Sequence, residues 1–136
     1  MFERLTEFLP ALEKDSGGTW WHDTENDGSP EHPRQMSYVQ YSDTVRIFRK
    51  AVYQFVEAHP ELHLHEYSDV LRDAGLRWDM DSMQNADVSA LDGKTVTALL
   101  LAADRAERFC EGAWFEFYRT GCITKWLTRL QQIDAE

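Results

Sequence analysis

Apolar residues recur at three- and four-residue intervals along most of this chain, the spacing of amphipathic helices. Phe2, Leu5, Phe8, Leu9 and Leu12 predict a first helix over Phe2–Lys14, ended by Asp15-Ser-Gly-Gly18. Thr19–His22 and Gln35–Tyr41 are instead rich in β-forming residues and predict a small hairpin around the turn-rich segment Asp23–Pro33. Ser42 suits the N-cap of a second helix with Val45, Phe48, Val52, Phe55 and Val56 as its core stripe. His59-Pro60 ends that helix, because the residue before a proline is pushed out of the α region. A shorter helix over Leu64–Ala74 carries Tyr67, Val70 and Leu71 on one face and has Gly75 as its stop. Leu76–Trp78 reads as extended and Asp79–Val88 as an irregular polar connector. The last helix, Cys122–Ile133, has the cleanest pattern: Ile123, Trp126, Leu127, Leu130 and Ile133.

Between these lies the most informative segment. Asp92 caps a helix predicted to run to Glu111, with Leu91 and Val96 placed as a hydrophobic staple. At about 100° per residue, Val96, Leu99, Leu100, Ala103, Cys110 and Trp114 form an apolar face, and Thr97, Asp104, Arg108 and Glu111 the stripe toward water. Glu107 falls inside the apolar face. An unpaired buried carboxylate costs several kcal/mol, so Glu107 is expected to be buried and paired with an Arg, a Tyr hydroxyl or a Trp indole. Arg105 lies on the back of the helix beside Ala98, Ala102 and Phe109, and Asp79, Asp81 and Asp87 are its expected partners. Continuing the helix past Gly112 would turn Phe115 to solvent, so a break is expected there, then a short helix through Tyr118 that stops at Gly121.

No repeat, low-complexity tract or linker interrupts the pattern. The reading is one mainly α domain over residues 1–136, a bundle of five to six helices with a β-hairpin near residues 19–41.

Composition narrows the function classes. The chain has 24 acidic and 14 basic residues, a net charge of −10, and no Lys/Arg cluster, which argues against nucleic-acid binding through a basic surface. No apolar run approaches the ~20 residues needed to span a bilayer, and the N-terminus lacks the apolar core of a signal peptide, so a cytoplasmic location is expected. Cys110 and Cys122 sit among apolar residues and read as two buried free thiols.

Metal and catalytic motifs are incomplete. Asp23, Glu25, Asp27, Gly28, Ser29 and Glu31 follow calcium-loop spacing, but Arg34 stands where a bidentate Glu should close the site. His63 and His65 share a direction in an extended segment, without a local third zinc ligand. Neither set is read as a metal site, and no cofactor is expected. Phosphate loops, nucleophile elbows and CxxC pairs are missing, and the reading leans away from an enzyme. The candidate ligand-binding residues are Glu107, Arg105, Trp78, Asp79, Asp81 and Trp114, with an aromatic slot between Trp78 and Trp114 beside Glu107. Arg105 and Glu107 point roughly 160° apart on an ideal helix, so one small ligand would hardly touch both.

Glu25-Asn-Asp-Gly-Ser-Pro-Glu-His-Pro33, Trp78-Asp-Met-Asp-Ser-Met83, Leu91-Asp92 and Arg105-Ala-Glu-Arg-Phe-Cys-Glu-Gly112 stand in an order that, with Gly121-Cys-Ile and Trp126-Leu-Thr-Arg-Leu130, resembles a known family. It is a family of small acidic bacterial proteins catalogued only as a domain of unknown function. The resemblance implies a bacterial cytosolic setting and carries no activity, ligand or catalytic residue. The leading expectation is a non-enzymatic protein-binding or regulatory module that uses an acidic or aromatic surface, with a homodimer left open. The alternatives are a small-molecule-binding protein or minor enzyme with its pocket at Glu107, and an acidic mimic of nucleic acid.

Overall fold

Proline splits the N-terminal stripe. In the computed structural model, which describes residues 1–136, the expected first helix is two short ones, α1 (Glu3–Thr6) and α2 (Leu9–Lys14), with Pro10 in the first turn of the second. Proline fits there because its missing N–H has no intrahelical partner at that position. Strands β1 (Gly18–Trp21) and β2 (Tyr38–Tyr41) pair antiparallel, with Gly18 opposite Tyr41 and Trp21 opposite Tyr38. Alternation puts Trp20, Val39 and Tyr41 on one face and stacks Trp21 on Tyr38 on the other, ring centroids 5.0 Å apart.

Helix α3 (Asp43–Ala58) begins as its sequence dictates, with the Val45 N–H donating to the Ser42 hydroxyl oxygen. Two single 3₁₀ turns, Pro60–Leu62 and Leu64–Glu66, lead into α4 (Tyr67–Asp73). The polar connector is less irregular than its composition suggests. Asp79 accepts the Ser82 N–H and so nucleates α5 (Met80–Gln84), which turns Met80 and Met83 inward. Asp92 caps α6 (Gly93–Ala106) through the Thr95 N–H, and α7 (Ala113–Arg119) and α8 (Cys122–Ala135) follow.

Helix α6 is the axis of the bundle. It packs against α3, α4, α7 and α8, while the Phe2 ring lies so close to Gly93 that a Cβ there would overlap it. No stripe of α6 is left for water. Thr97 and Asp104, expected to face solvent, are 2% and 4% exposed. Thr97 satisfies its hydroxyl by donating to backbone carbonyl oxygens of Gly93 and Lys94, and Asp104 accepts from Arg49. On α8, Ile123, Trp126, Leu127 and Leu130 are wholly enclosed, as their spacing predicts, and Ile133 is half-buried. The result is a mainly helical bundle with one small hairpin on its flank. No helix is long and apolar enough to cross a membrane.

Candidate functional site

The long central helix stops five residues before its expected end. After Ala106 the chain leaves the helix in a turn, and Gly112 (φ 85°) takes the left-handed conformation that starts α7. This corner decides where the candidate residues go. Glu107 is half-buried, and its partners come from three segments. Its Oε1 accepts the Tyr41 hydroxyl at 2.9 Å and the Trp114 backbone N–H at 2.9 Å, and its Oε2 accepts the Gly112 N–H at 3.0 Å. The expected tyrosine partner is present; Trp114 contributes its backbone N–H and not its indole. The carboxylate thus serves the free N–H groups at the start of α7, where negative charge also suits the helix dipole.

Tyr41 completes the clamp by accepting the Phe115 N–H at 3.1 Å. Burial, then the negative charge of Glu107, raises the Tyr41 pKa well above the ordinary 10 and holds the phenol protonated. Glu111, next along the turn, accepts the Val39 N–H at 2.9 Å and so closes the outer edge of β2.

Behind the clamp lies an ion pair that sequence inspection missed. Arg49 on α3 reaches Asp104 at 2.5 Å and lies over the rings of Tyr41 (5.1 Å) and Trp114 (5.8 Å). Burial works against the Arg49 charge; Asp104 more than offsets that and raises its pKa. The signal was available, since Arg49 falls within about 20° of Val56 on the α3 wheel and therefore had to enter the core edge with a partner.

Arg105 does not pair with Asp79, Asp81 or Asp87. It faces the hydroxyls of Tyr53 and Tyr67, which raise its pKa. Asp79 is taken by Arg77 and the α5 cap, Asp81 by Asn85, and Asp87 by Ser89. What fastens the connector to α6 is Trp78, whose indole N–H donates to the Ala102 carbonyl oxygen at 3.0 Å. Trp78 and Trp114 do not share a slot. Trp114 is 1% exposed and stacks on Tyr118, whereas Trp78 stands at the surface against Tyr67 and Phe109.

The cleft lies elsewhere than expected. Trp78, Asp79, Met80, Met83, Ala106, Phe109, Cys110, Ala113 and Phe117 line a space of about 370 Å³ between α5 and the α6–α7 corner. Trp78 and Asp79 are at this site; Glu107, Arg105, Asp81 and Trp114 do not line it. Its floor is apolar, with Met83 and Phe117 each 1% exposed, and its rim carries Phe109 at 78% exposure. Cys110 is exposed here, in contrast to the expectation of a buried thiol, because the helix that would have turned it inward has already ended; Cys122 is buried as expected. Phe109 was missed as a site residue for the same reason. The wheel placed it on the back of a helix that does not reach it.

The remaining sequence candidates are engaged locally. Asp23 accepts the backbone N–H groups of Glu25, Asn26 and Gln35 and the Asn26 amide. His65 faces Glu57 at 3.4 Å. No group of three His, Cys, Asp or Glu side chains is arranged to hold a metal ion.

The model of a family of unknown function, DUF6508, matches residues 1–136. The chain belongs to that family. Neither the curated proteins nor the solved structures contain a match to it. Membership in DUF6508 assigns no chemistry to the cleft, which rests on its own geometry.

Proposed function

We propose that this DUF6508 protein is a non-enzymatic binding module of the bacterial cytoplasm that docks another protein at the cleft beside Trp78 and Phe109. The observation that carries the reading is Phe109, a phenylalanine 78% exposed on the lip of an apolar depression. Burying such a ring is worth roughly 1.5–3 kcal/mol, and exposed aromatics beside a pocket are the usual anchors of protein interfaces. Trp78, 37% exposed, packs edge-on against Phe109, and on the far side of the turn Trp20, 44% exposed, covers Gly112. Aromatic surface therefore brackets the whole corner.

The lining offers little for catalysis. Asp79 and Cys110 are its only side chains with acid, base or nucleophile chemistry, and Asp79 is engaged by Arg77. Glu107, the strongest candidate for an acid or base, has its oxygens in the α7 clamp. A second reading is a small apolar ligand, favoured by the cleft volume, which lies within the ~300–1,000 Å³ of small-molecule sites.

The test is to isolate a partner from cells that make the protein, purify it, and measure its affinity for wild type and for Phe109→Ala. Loss of at least about tenfold, with an unchanged melting temperature, is the expected result. If no purified partner depends on Phe109 or Trp78, the docking reading fails.

A further inference from the structure

We infer that the segment seated in this cleft is a cationic amphipathic helix, its apolar side chains entering between α5 and α7. The inference rests on the docking reading above and names the occupant. The first argument is extent. A small molecule confined to the space of about 370 Å³ would cover only the side of Phe109 that lines it and leave much of that ring, 78% exposed on the rim, in water. The occupant has to continue past the cleft over Phe109 and Trp78, as a polypeptide does.

The second argument is the kind of wall. The cleft is bordered by helices and turns: α5 with the residues leading into it, the end of α6, the α6–α7 turn and α7. Trp78 directs its indole N–H to the Ala102 carbonyl oxygen, and Asp79 turns its carboxylate to Ser82. No strand edge borders the cleft, and the outer edge of β2 is closed where Glu111 takes the Val39 N–H. Strand addition has nothing to pair with there. Recognition must run through side chains, which is the helix-in-groove mode, with anchors at i and i+3 or i+4. The thioethers of Met80 and Met83 suit it, because methionine adapts its shape to the anchor it meets.

The third argument is charge. The chain carries −10, so a second copy would bring like charge to the contact. Asp81 and Glu111, adjacent in sequence to the lining residues Met80 and Cys110, have no cationic partner, while Arg77 is taken by Asp79. Arg105 and Arg108 are likewise without an ion pair, but with Glu107 beside them the unpaired carboxylates still outnumber the unpaired cations. The balance favours a basic segment.

The experiment uses three labelled helical probe peptides of equal length: an amphipathic Leu/Lys peptide, its Leu/Glu counterpart, and a Lys/Ser peptide that keeps the charge without the apolar face. Fluorescence anisotropy compares wild type with Phe109→Ala and Cys110→Phe, two exposed positions, with circular dichroism to verify folding. The Leu/Lys peptide is expected to bind, to weaken at least tenfold in both variants and with added salt, and to exceed the Lys/Ser peptide at least tenfold. If the Leu/Glu peptide binds as well with the same dependence on Phe109, the cationic occupant is wrong and the docking reading stands. If the Leu/Lys peptide binds both variants like wild type, the attraction is diffuse charge and both readings fall. Binding of none of the three overturns the helical occupant and leaves the docking reading to its own partner experiment.

Discussion

The Tyr41 hydroxyl donates to Glu107 Oε1 at 2.9 Å, and this bond joins the end of the hairpin to the corner between α6 and α7. Through it, one carboxylate fixes three pieces of chain: the strand that carries Tyr41, the turn that carries Phe109, and the first turn of α7.

Glu107→Gln should therefore loosen the corner although it keeps the side chain's shape. An amide has one acceptor oxygen, so it cannot serve Gly112 on one side and Tyr41 with Trp114 on the other without turning N–H toward N–H. The expected cost is about 1–3 kcal/mol in urea denaturation, and Tyr41→Phe, which also strips Phe115 of its acceptor, should cost about as much. Wild-type stability in both variants would mean that the corner is held by packing alone.

Gly112 and Gly75 offer a controlled comparison. Both have positive φ, 85° and 80°, but a Cβ at Gly112 would overlap the Trp20 ring while one at Gly75 meets open space. Gly75→Ala should cost about 1–2 kcal/mol for the left-handed backbone alone. Gly112→Ala should cost clearly more, and the excess should shrink when Trp20 is also replaced by Ala. Equal costs at the two glycines would show that Trp20 is not seated on the turn.

Leu127 is wholly enclosed on α8. Its replacement by Ala should lower stability by about 2–5 kcal/mol, the range for a large core residue whose site cannot fully collapse. Thermal denaturation is the simplest check; an unchanged midpoint would remove this stripe from the core.

The Asp23 carboxyl is pushed down to about 2, first by the Asn26 amide and then by the Gln35 backbone N–H. The depressed value fixes the sign. The ordering that this carboxylate gives the loop is fully present above its ordinary 3.8 and is lost as pH falls toward about 2. An NMR titration should place the Asp23 midpoint well below that of free aspartate, with the Gln35 amide shifting in step. A midpoint near 3.8 would mean that the loop is not closed by this residue.

Local rules read most of the helices correctly. Ser42, Asp79 and Asp92 each accept a backbone N–H three residues on, and the buried α8 residues follow their spacing without exception. Of these caps, Asp79 went unassigned because five residues of α5 are too short for a periodic signal. The failures at the α6–α7 corner share one cause. The helical wheel does not apply past Ala106, where the helix ends, so Phe109 and Cys110 stand at the surface by the cleft instead of where a continued helix would put them. Thr97 and Asp104 failed for a different reason: burial on the polar side of α6 depends on Arg49 and on the helices around it, and nothing within ten residues of Asp104 announces a partner fifty-five positions away.

The N-terminal helices have a bearing on how the molecule is made. Both α1 and α2 lie on α8, and the Tyr118 hydroxyl donates to the carbonyl oxygens of Leu12 (2.5 Å) and Asp15 (2.6 Å). Leu5, Leu9 and Leu12 therefore leave the ribosome about a hundred residues ahead of α8, which completes with α3 the surface that covers them. Until α8 emerges, this apolar segment can pack only on α3, and its contacts with α8, distant in sequence, are slow to form. Packing of α1 and α2 on α3 can begin during synthesis, but the core closes only once α8 has been made.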